Sequence, residues 1–397
     1  MANTLLHALA NTHDIIHAMG KNLSYSDYRQ QYHTDLSPAG WHIGYCSFIE
    51  SYWLRDRVLG DTTLTHEYEW LYFPENIAKP KRGPALPPRD DHLRWCQSLN
   101  AENQAILANP PEAFKQHQLN RDNYLLKFIL QHHCQHAETL AMVLMQRQLQ
   151  LDHSGYDVTQ PLVTSSIDEH AHVMLSAKDY LIGNPGSSDA YDNEVPPHAV
   201  SLTEIALAET PVSNSQWLAF MEDGGYHEPR WWNEAGWSWR ETANVEAPEN
   251  WRQNNKQQWL DIHHEGGRDL VAEAAVSGIN YFEACAFVNW LNTTSGLSAR
   301  TRLPHEYEWE AADQSGQLAA TGQAWEWCDN YFHPYPGFKT FPYDNYSKPW
   351  FDQNHYSLRG GSGFTRPYVR RSSFRNFYNP DKRHIFSGLR LAFDDAT

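Results

Sequence analysis

The stretch from Tyr124 to Gln150 contains no Gly and no Pro, and its apolar residues recur at helical spacing. Such a run predicts one long helix. At its centre stand His132, His133, Cys134, Gln135, His136, Ala137 and Glu138. Residues four apart share a helix face, with Cβ atoms about 5–6 Å apart. His132 and His136 therefore aim two imidazoles towards one point. His133 points elsewhere, and Glu138, two residues beyond His136, reads as a support or a structural residue. Neutral imidazole suits Fe, Zn, Cu or Ni, so the pair alone does not choose a metal. The chain has 22 His, and a pair on a solvated face is the plain alternative.

Charge narrows the partners. The formal net charge of −17 repels nucleic acid and anionic membrane alike. No run of 18 apolar residues predicts a membrane span, and the first residues lack the basic and apolar segments of a secretory signal. Five scattered cysteines without a CxxC read as reduced thiols in the cytoplasm, not as a disulfide framework or a zinc cluster.

Along the chain, residues 1 to 35 carry a helical pattern weakened near Gly20. Ser37 is placed as an N-cap with Pro38 as the first helical residue, opening a helix from Trp41 through Leu54. The pattern fails from 60 to 91, where Pro74, Pro80, Gly83 and Pro84 predict an extended loop. A third helix starts at Asp90 or Asp91, runs to about Asn109 and stops at Pro110-Pro111. With the His-bearing helix this makes four, the count of an up-down bundle. Residues 1–155 are assigned to the bundle, 156–174 to a connection and 175–397 to a second domain. There Gly, Pro, Trp and Asn rise, a helix over 281–291 capped by Asn280 and a shorter one over 304–312 stand out, and the remainder reads as short strands in long loops.

The second part carries a series of motifs. It begins Arg302-Leu303-Pro304-His305-Glu306-Tyr307-Glu308-Trp309-Glu310 and continues Gly322-Gln323-Ala324-Trp325-Glu326-Trp327. Then come Leu358-Arg359-Gly360-Gly361-Ser362, Arg375-Asn376-Phe377-Tyr378 and Gly388-Leu389-Arg390. In order and spacing this series resembles the formylglycine-generating-enzyme domain, a C-type-lectin-like fold, over roughly 175–397. Preceded by what looks like a DinB-like four-helix bundle with HxxxHxE, it resembles the ergothioneine-pathway sulfoxide synthases and their ovothiol and selenoneine relatives. The resemblance implies an α+β chain. It also implies a mononuclear Fe(II) oxidoreductase that uses O2 to join a thiol or selenol to the imidazole of trimethylhistidine (hercynine) or a related histidine betaine. Formylglycine formation needs a late cysteine pair, and no cysteine follows Cys328.

Residue roles follow from the same resemblance. His132 and His136 match two of three histidine ligands. The third belongs to a Trp-x-x-x-His segment that reads Trp41-His42-Ile43-Gly44-Tyr45 here, so Tyr45 holds the ligand position. Four arrangements stay open: Tyr45 ligates as phenolate, His42 takes its place, a water fills the position, or the site is degenerate and binds ligands without turnover. Gln135 matches a position that bonds the substrate imidazole. Asn376 matches one near the substrate's ammonium or carboxylate end, with Phe377 and Tyr378 lining the pocket. Arg82, Arg89, Lys382 and Arg383 are the candidate cations for the thiol substrate's carboxylate, and Tyr343, Tyr346 and Tyr378 the candidate proton donors. Trp325, Trp327, Arg359, Gly360, Gly361 and Arg390 are assigned to holding the fold.

Overall fold

The computed structural model describes residues 2–168, 171–186 and 189–394. They divide into two compact units, one formed by 1–150 with 366–369, the other by 151–365 with 370–397.

In the first unit every regular element is helical. The helices are α1 (Ala2–Lys21), α2 (Tyr25–Arg29), α3 (Ala39–Ser51), α4 (Thr63–Tyr72), α5 (Lys79–Ala85), α6 (Arg89–Ala108), α7 (Glu112–Gln116) and α8 (Tyr124–Gln148). The long helices α1, α3, α6 and α8 form the bundle: α1 packs on α6 and α8, and so does α3. Both α3 and α8 are buried around most of their circumference, which explains why apolar residues appear on more than one face of each. The π-helical turn Tyr52–Val58 carries α3 onward.

Two expectations are corrected. The helix starts at Ala39; Pro38 is the extended flanking residue, and no side chain caps the end. Ser37 is instead the buried acceptor of a 2.6 Å bond from Arg82 Nη1. The loop expected over 60–91 holds α4 and α5, in which Pro80 sits in the opening turn. Proline there removes no helical hydrogen bond, so loop-like composition is compatible with a short helix. Gly44 brings α3 close to its neighbours. A Cβ there would lie 2.3 Å from the Tyr72 hydroxyl and 2.5 Å from His92 Nε2.

The second unit mixes short strands with four helices. β1 (His172–Leu175), β4 (Ile205–Ala208), β13 (Ala392–Asp394) and β8 (Arg300–Arg302) make an antiparallel sheet in that order. Leu207 pairs with both Val173 and Ala392, so the first and last strands of the unit share one sheet. A second sheet runs β11 (Asn376–Tyr378), β10 (Tyr356–Arg359), β9 (Trp325–Tyr331) and β12 (Ser387–Gly388), with β12 parallel to β9. A hairpin of β2 (Lys178–Ile182) and β3 (His198–Leu202) and a meander of β5 (Trp251–Gln253), β6 (Trp259–His263) and β7 (Gly266–Asp269) complete the strands.

The helices are α9 (Asn214–Glu222), α10 (Glu234–Ala243), α11 (Tyr281–Thr294) and α12 (Glu306–Gln314). Asn280 caps α11 as expected: its Oδ1 accepts from Glu283 N at 2.9 Å and the Glu283 carboxylate accepts from Asn280 N at 2.8 Å. α12 closes over a core of Leu175, Ile182, Ile205, Leu207, Tyr335 and Ala392 through Ala311 and Ala312. The α+β reading, helical bundle first and lectin-like domain second, holds.

Two of the residues assigned to the fold, Arg359 and Arg390, are held in the interior by carboxylates, as is Arg375. Arg359 is fully buried, and all its N–H groups donate: to Glu306 (3.2 Å), Glu310 (2.8 Å), the Tyr335 hydroxyl (3.0 Å) and the carbonyls of Ser372 and Phe374. Arg375 grips the same Glu306 at 2.7 and 2.8 Å, and Arg390 grips Glu326 at 2.7 and 2.8 Å. Planar forks on carboxylates satisfy both partners, which is what makes such burial tolerable.

Candidate metal centre

The seam between α3 and α8 is polar. Read along it, His42 lies against His136, Tyr45 against His132 and His136, Cys46 against His132 and His133, and Glu50 against His133. Numbers rise on α3 as they fall on α8, as antiparallel neighbours require. The α3 side uses positions 42, 46 and 50, four apart and therefore on one face.

At the upper end, His42 Nδ1 lies 3.1 Å from His136 Nδ1. The rings of His132 and His136 are 4.5 Å apart between centroids. Tyr45 leans over both, 5.5 Å from His132 and 5.1 Å from His136. Its ring stacks on Trp41 at 4.6 Å and 14°, and the Arg82 guanidinium lies 4.1 Å from the Trp41 ring. Trp41 is fixed in turn by its indole N–H on the Leu71 carbonyl at 2.8 Å.

At the lower end, His13 of α1 and His133 both direct Nε2 at Glu50 Oε2, at 2.7 and 3.0 Å. Gln104 donates to His13 Nδ1 at 3.0 Å. His13, Glu50 and His133 are all buried. Among the described residues of this unit, Cys46–His132–His133 and His13–Glu50–His133 are the groups whose three ligand atoms lie within 4.8 Å of one another. Cys46 is buried, and burial pushes its thiol up.

Burial keeps the imidazoles neutral. It pushes His136 down to about 3, helped by the charge of His133. It holds His42 and His132 well below the ordinary range, with the neighbouring imidazoles adding to it. For Glu50 burial alone would raise the carboxyl, but His13 and His133 outweigh it and hold it near 2. Neutral imidazole is the form that binds metal, so no proton has to leave these rings first. Buried ring nitrogens without a hydrogen-bond partner here include His42 Nε2, His132 Nδ1 and His133 Nδ1. Buried polar atoms are normally paired, so unpaired nitrogens in a cluster of imidazoles fit a metal as the missing partner.

The structure brings together His42, Tyr45, His132 and His136. Gln135 lies on the same helix, partly buried, its carbonyl accepting from Thr139 Oγ1 at 3.0 Å. Arg82 is buried, and three of its donors are engaged by Ser37, the Ile77 carbonyl and the Pro74 carbonyl. Arg89 opens α6, donates to the Leu23 carbonyl and pairs with Asp90 at 2.9 Å.

The other candidates belong to the second unit. Asn376 and Phe377 lie on β11 opposite Leu358 and Ser357, and Phe377 stacks on Phe332 at 4.2 Å. Tyr378 ends that strand, 6.3 Å from the His384 ring. Tyr346 stacks on Tyr191 at 4.3 Å, and Tyr343 is exposed. Lys382 pairs with Asp381 at 3.2 Å, and Arg383 pairs with Glu283 at 3.0 Å.

Sequence reasoning missed Cys46, Glu50 and His13. The i, i+4, i+8 spacing of His42, Cys46 and Glu50 was the available signal for two of them. His13 had none, because only packing of α1 on α8 brings it there.

The chain belongs to the family of the Sulfatase-modifying factor enzyme 1-like domain, whose profile matches residues 163–321 and 316–395. Its similarity to curated proteins runs through the bundle as well. It is 28% identical to a protein of Mycobacterium tuberculosis named Hercynine oxygenase, over 92% of this chain and 92% of that one. The protein of the same name from Mycolicibacterium thermoresistibile is 27% identical over 98% and 95%. Ergothioneine biosynthesis protein 1 of Schizosaccharomyces pombe is 24% identical over 51% of this chain and 27% of its own. The ergothioneine-pathway resemblance read from the motifs is borne out at the level of the family.

Proposed function

We propose that this protein is a non-haem iron oxygenase that joins a thiol or selenol to the imidazole of trimethylhistidine or a close relative. The observation that carries the reading is the cluster of neutral imidazoles between α3 and α8 in a chain that matches hercynine oxygenases nearly end to end. His132 and His136 are the residues that would hold the iron. Iron, when bound, supplies the activation of O2.

The remaining tasks fall to the chain. The Arg82–Trp41–Tyr45 stack forms an aromatic wall beside the two histidines and keeps water from that side. Glu50, held by His13 and His133, anchors α8 at the residue next to His132. Gln135, one residue before His136, is the residue of this unit that would orient the substrate imidazole. For a thiol the balance is simple. The imidazole C–H and the thiol S–H are replaced by a C–S bond, one oxygen atom goes to sulfur, and the other leaves as water with both hydrogens. Holding the two substrates side by side accounts for much of the rate. The cysteines, none of them disulfide-bonded, are in keeping with work in a reducing cytoplasm.

The test is aerobic incubation of the Fe(II)-loaded chain with trimethylhistidine and, separately, cysteine, glutathione and selenocysteine, read by mass spectrometry. A coupled product with one of them, lost in His132→Ala and His136→Ala, is expected. Tyr45 in the position of the third ligand favours a second reading, a binding protein without turnover. That reading wins when no coupled product forms and His132→Ala keeps full affinity for trimethylhistidine.

A further inference from the structure

We propose that His13, Glu50 and His133 form a second metal site in the core of the helical bundle, taking a divalent ion of the zinc type in a structural role. The site is distinct from the His132–His136 centre and does not depend on what that centre holds.

Each of three helices gives one residue: α1 His13, α3 Glu50 and α8 His133. Facing helices of a bundle are where such sites are built. All three side chains are buried, Glu50 and His133 completely. Glu50 Oε2 lies 2.7 Å from His13 Nε2 and 3.0 Å from His133 Nε2, and the three ligand atoms fall within 4.8 Å of one another. Metal bonds of about 2.1 Å put neighbouring donors roughly 3 Å apart when they meet near a right angle.

Hydrogen bonding alone leaves this group short. Glu50 Oε2 is bonded to His13, while Oε1 has no partner. His133 Nε2, though 3.0 Å from Oε2, has no hydrogen-bond partner either. A buried carboxylate is costly unless it is paired or holds a metal. A cation between the two rings, with Glu50 bidentate, gives each of these atoms a partner at once. Two imidazoles and a carboxylate are a donor set that zinc takes, and four donor atoms close a structural site. Imidazole favours a transition ion over magnesium or calcium, which take oxygen.

The fourth long helix supports the first. Gln104 of α6 meets the far nitrogen of His13, Nδ1, at 3.0 Å. With its amide turned over it accepts from Nδ1–H, which leaves Nε2 bare for the metal. Metal-bound imidazoles are held by such a partner on their other nitrogen. His132 is next to His133, but consecutive residues on a helix point about 100° apart, so the two centres do not share a ring. Cys46, His132 and His133 are the rival group of the seam, and both groups need His133. The unpaired oxygen of Glu50 favours the group that contains it.

The test uses the full chain carrying His136→Ala, which removes a ligand of the iron centre. Stripped of metal and then dialysed against Zn(II), it should keep one zinc per chain by elemental analysis. Adding His13→Gln or Glu50→Gln, which keep polar side chains able to hydrogen-bond, should abolish that zinc. Gln104→Ala should weaken zinc by roughly 10–100-fold, as removal of a supporting partner does. Cys46→Ser should leave it unchanged. Zinc should also slow hydrogen exchange around His13 in α1 of the His136→Ala chain, because a ligand of the folded state stabilises it. That readout requires none of the core variants to fold.

No zinc in the His136→Ala chain, or zinc that leaves exchange in α1 unchanged, overturns the proposal and leaves a plain hydrogen-bonded core. So does zinc that survives His13→Gln or is lost with Cys46→Ser. None of these outcomes bears on the iron reading, which the coupled product of trimethylhistidine decides.

Discussion

Both units bury ionisable groups, and they do so in opposite ways. In the second unit Arg359, Arg375 and Arg390 are charged, fully buried and bonded through their guanidinium groups to Glu306, Glu310 and Glu326 or to carbonyls. Burial would raise the Glu306 carboxyl, but Arg375 and Arg359 hold it well below the usual carboxylate range. In the helical unit the buried groups are mostly neutral imidazoles, and His42 and His132 each keep a nitrogen without a partner. A closed set of ion pairs specifies one arrangement of loops. An open set of neutral donors leaves room for something not yet bound. The contrast is between the arginine core of one unit and the imidazole seam of the other.

The sharpest way to break the comparison is Arg359→Met. It takes the guanidinium away from Glu310 and leaves Glu306 with Arg375 alone, and removing one side of a buried pair costs about 3–5 kcal/mol. Denaturant unfolding should show that loss, while hydrogen exchange in α3 and α8 stays as in the parent. An equal loss of protection in those helices would mean the two polar cores are not independent.

Acid should separate the two kinds of burial next. His92, gripped by the Tyr28 and Tyr72 hydroxyls at 2.9 and 2.6 Å, is pushed down to about 4 by burial, and His17 likewise. Their folded values lie below the unfolded value near 6.5, so the unfolded chain binds more protons between them. Stability from these groups is complete above pH 6.5 and falls as pH drops towards 4, on the order of 3 kcal/mol for His92. Hydrogen exchange in α1 and α6 at stepped pH measures it, and His92→Asn should flatten the slope.

A smaller effect is expected from Arg82→Lys. Lysine cannot reproduce the fork that reaches Ser37, Pro74 and Ile77 or the stack on Trp41. A cost of about 1–2 kcal/mol follows from the lost bonds. Thermal unfolding reads it, and Tyr45 fluorescence quenching reports whether the aromatic stack has loosened.

Much of this was legible from residues alone. The His-bearing helix announced itself by its uninterrupted periodicity, and Asn280 with Glu283 announced the start of α11. The five motifs of the second unit identified its fold because they encode the buried arginines, the glutamates that pair with them and a tryptophan that bonds one of those glutamates. Indole N–H of Trp309 on Glu326, at 2.5 Å, is one such pairing. Helices α9 and α10 were missed, although Ser213 and Gln216 make a capping box that short-range reading can find.

What the sequence determined by itself was local: which stretches are helical, which face of α8 carries two imidazoles, and that position 45 holds a tyrosine. Local signals reach that far because backbone periodicity and capping act within a few residues. The tertiary structure decided how the rings meet. His42 lies 94 positions before His136, and His13 lies 37 before Glu50. No spacing rule spans such distances. Only the packing of α1 and α3 against α8 brings these rings together, and that packing is set by apolar burial spread along whole helices.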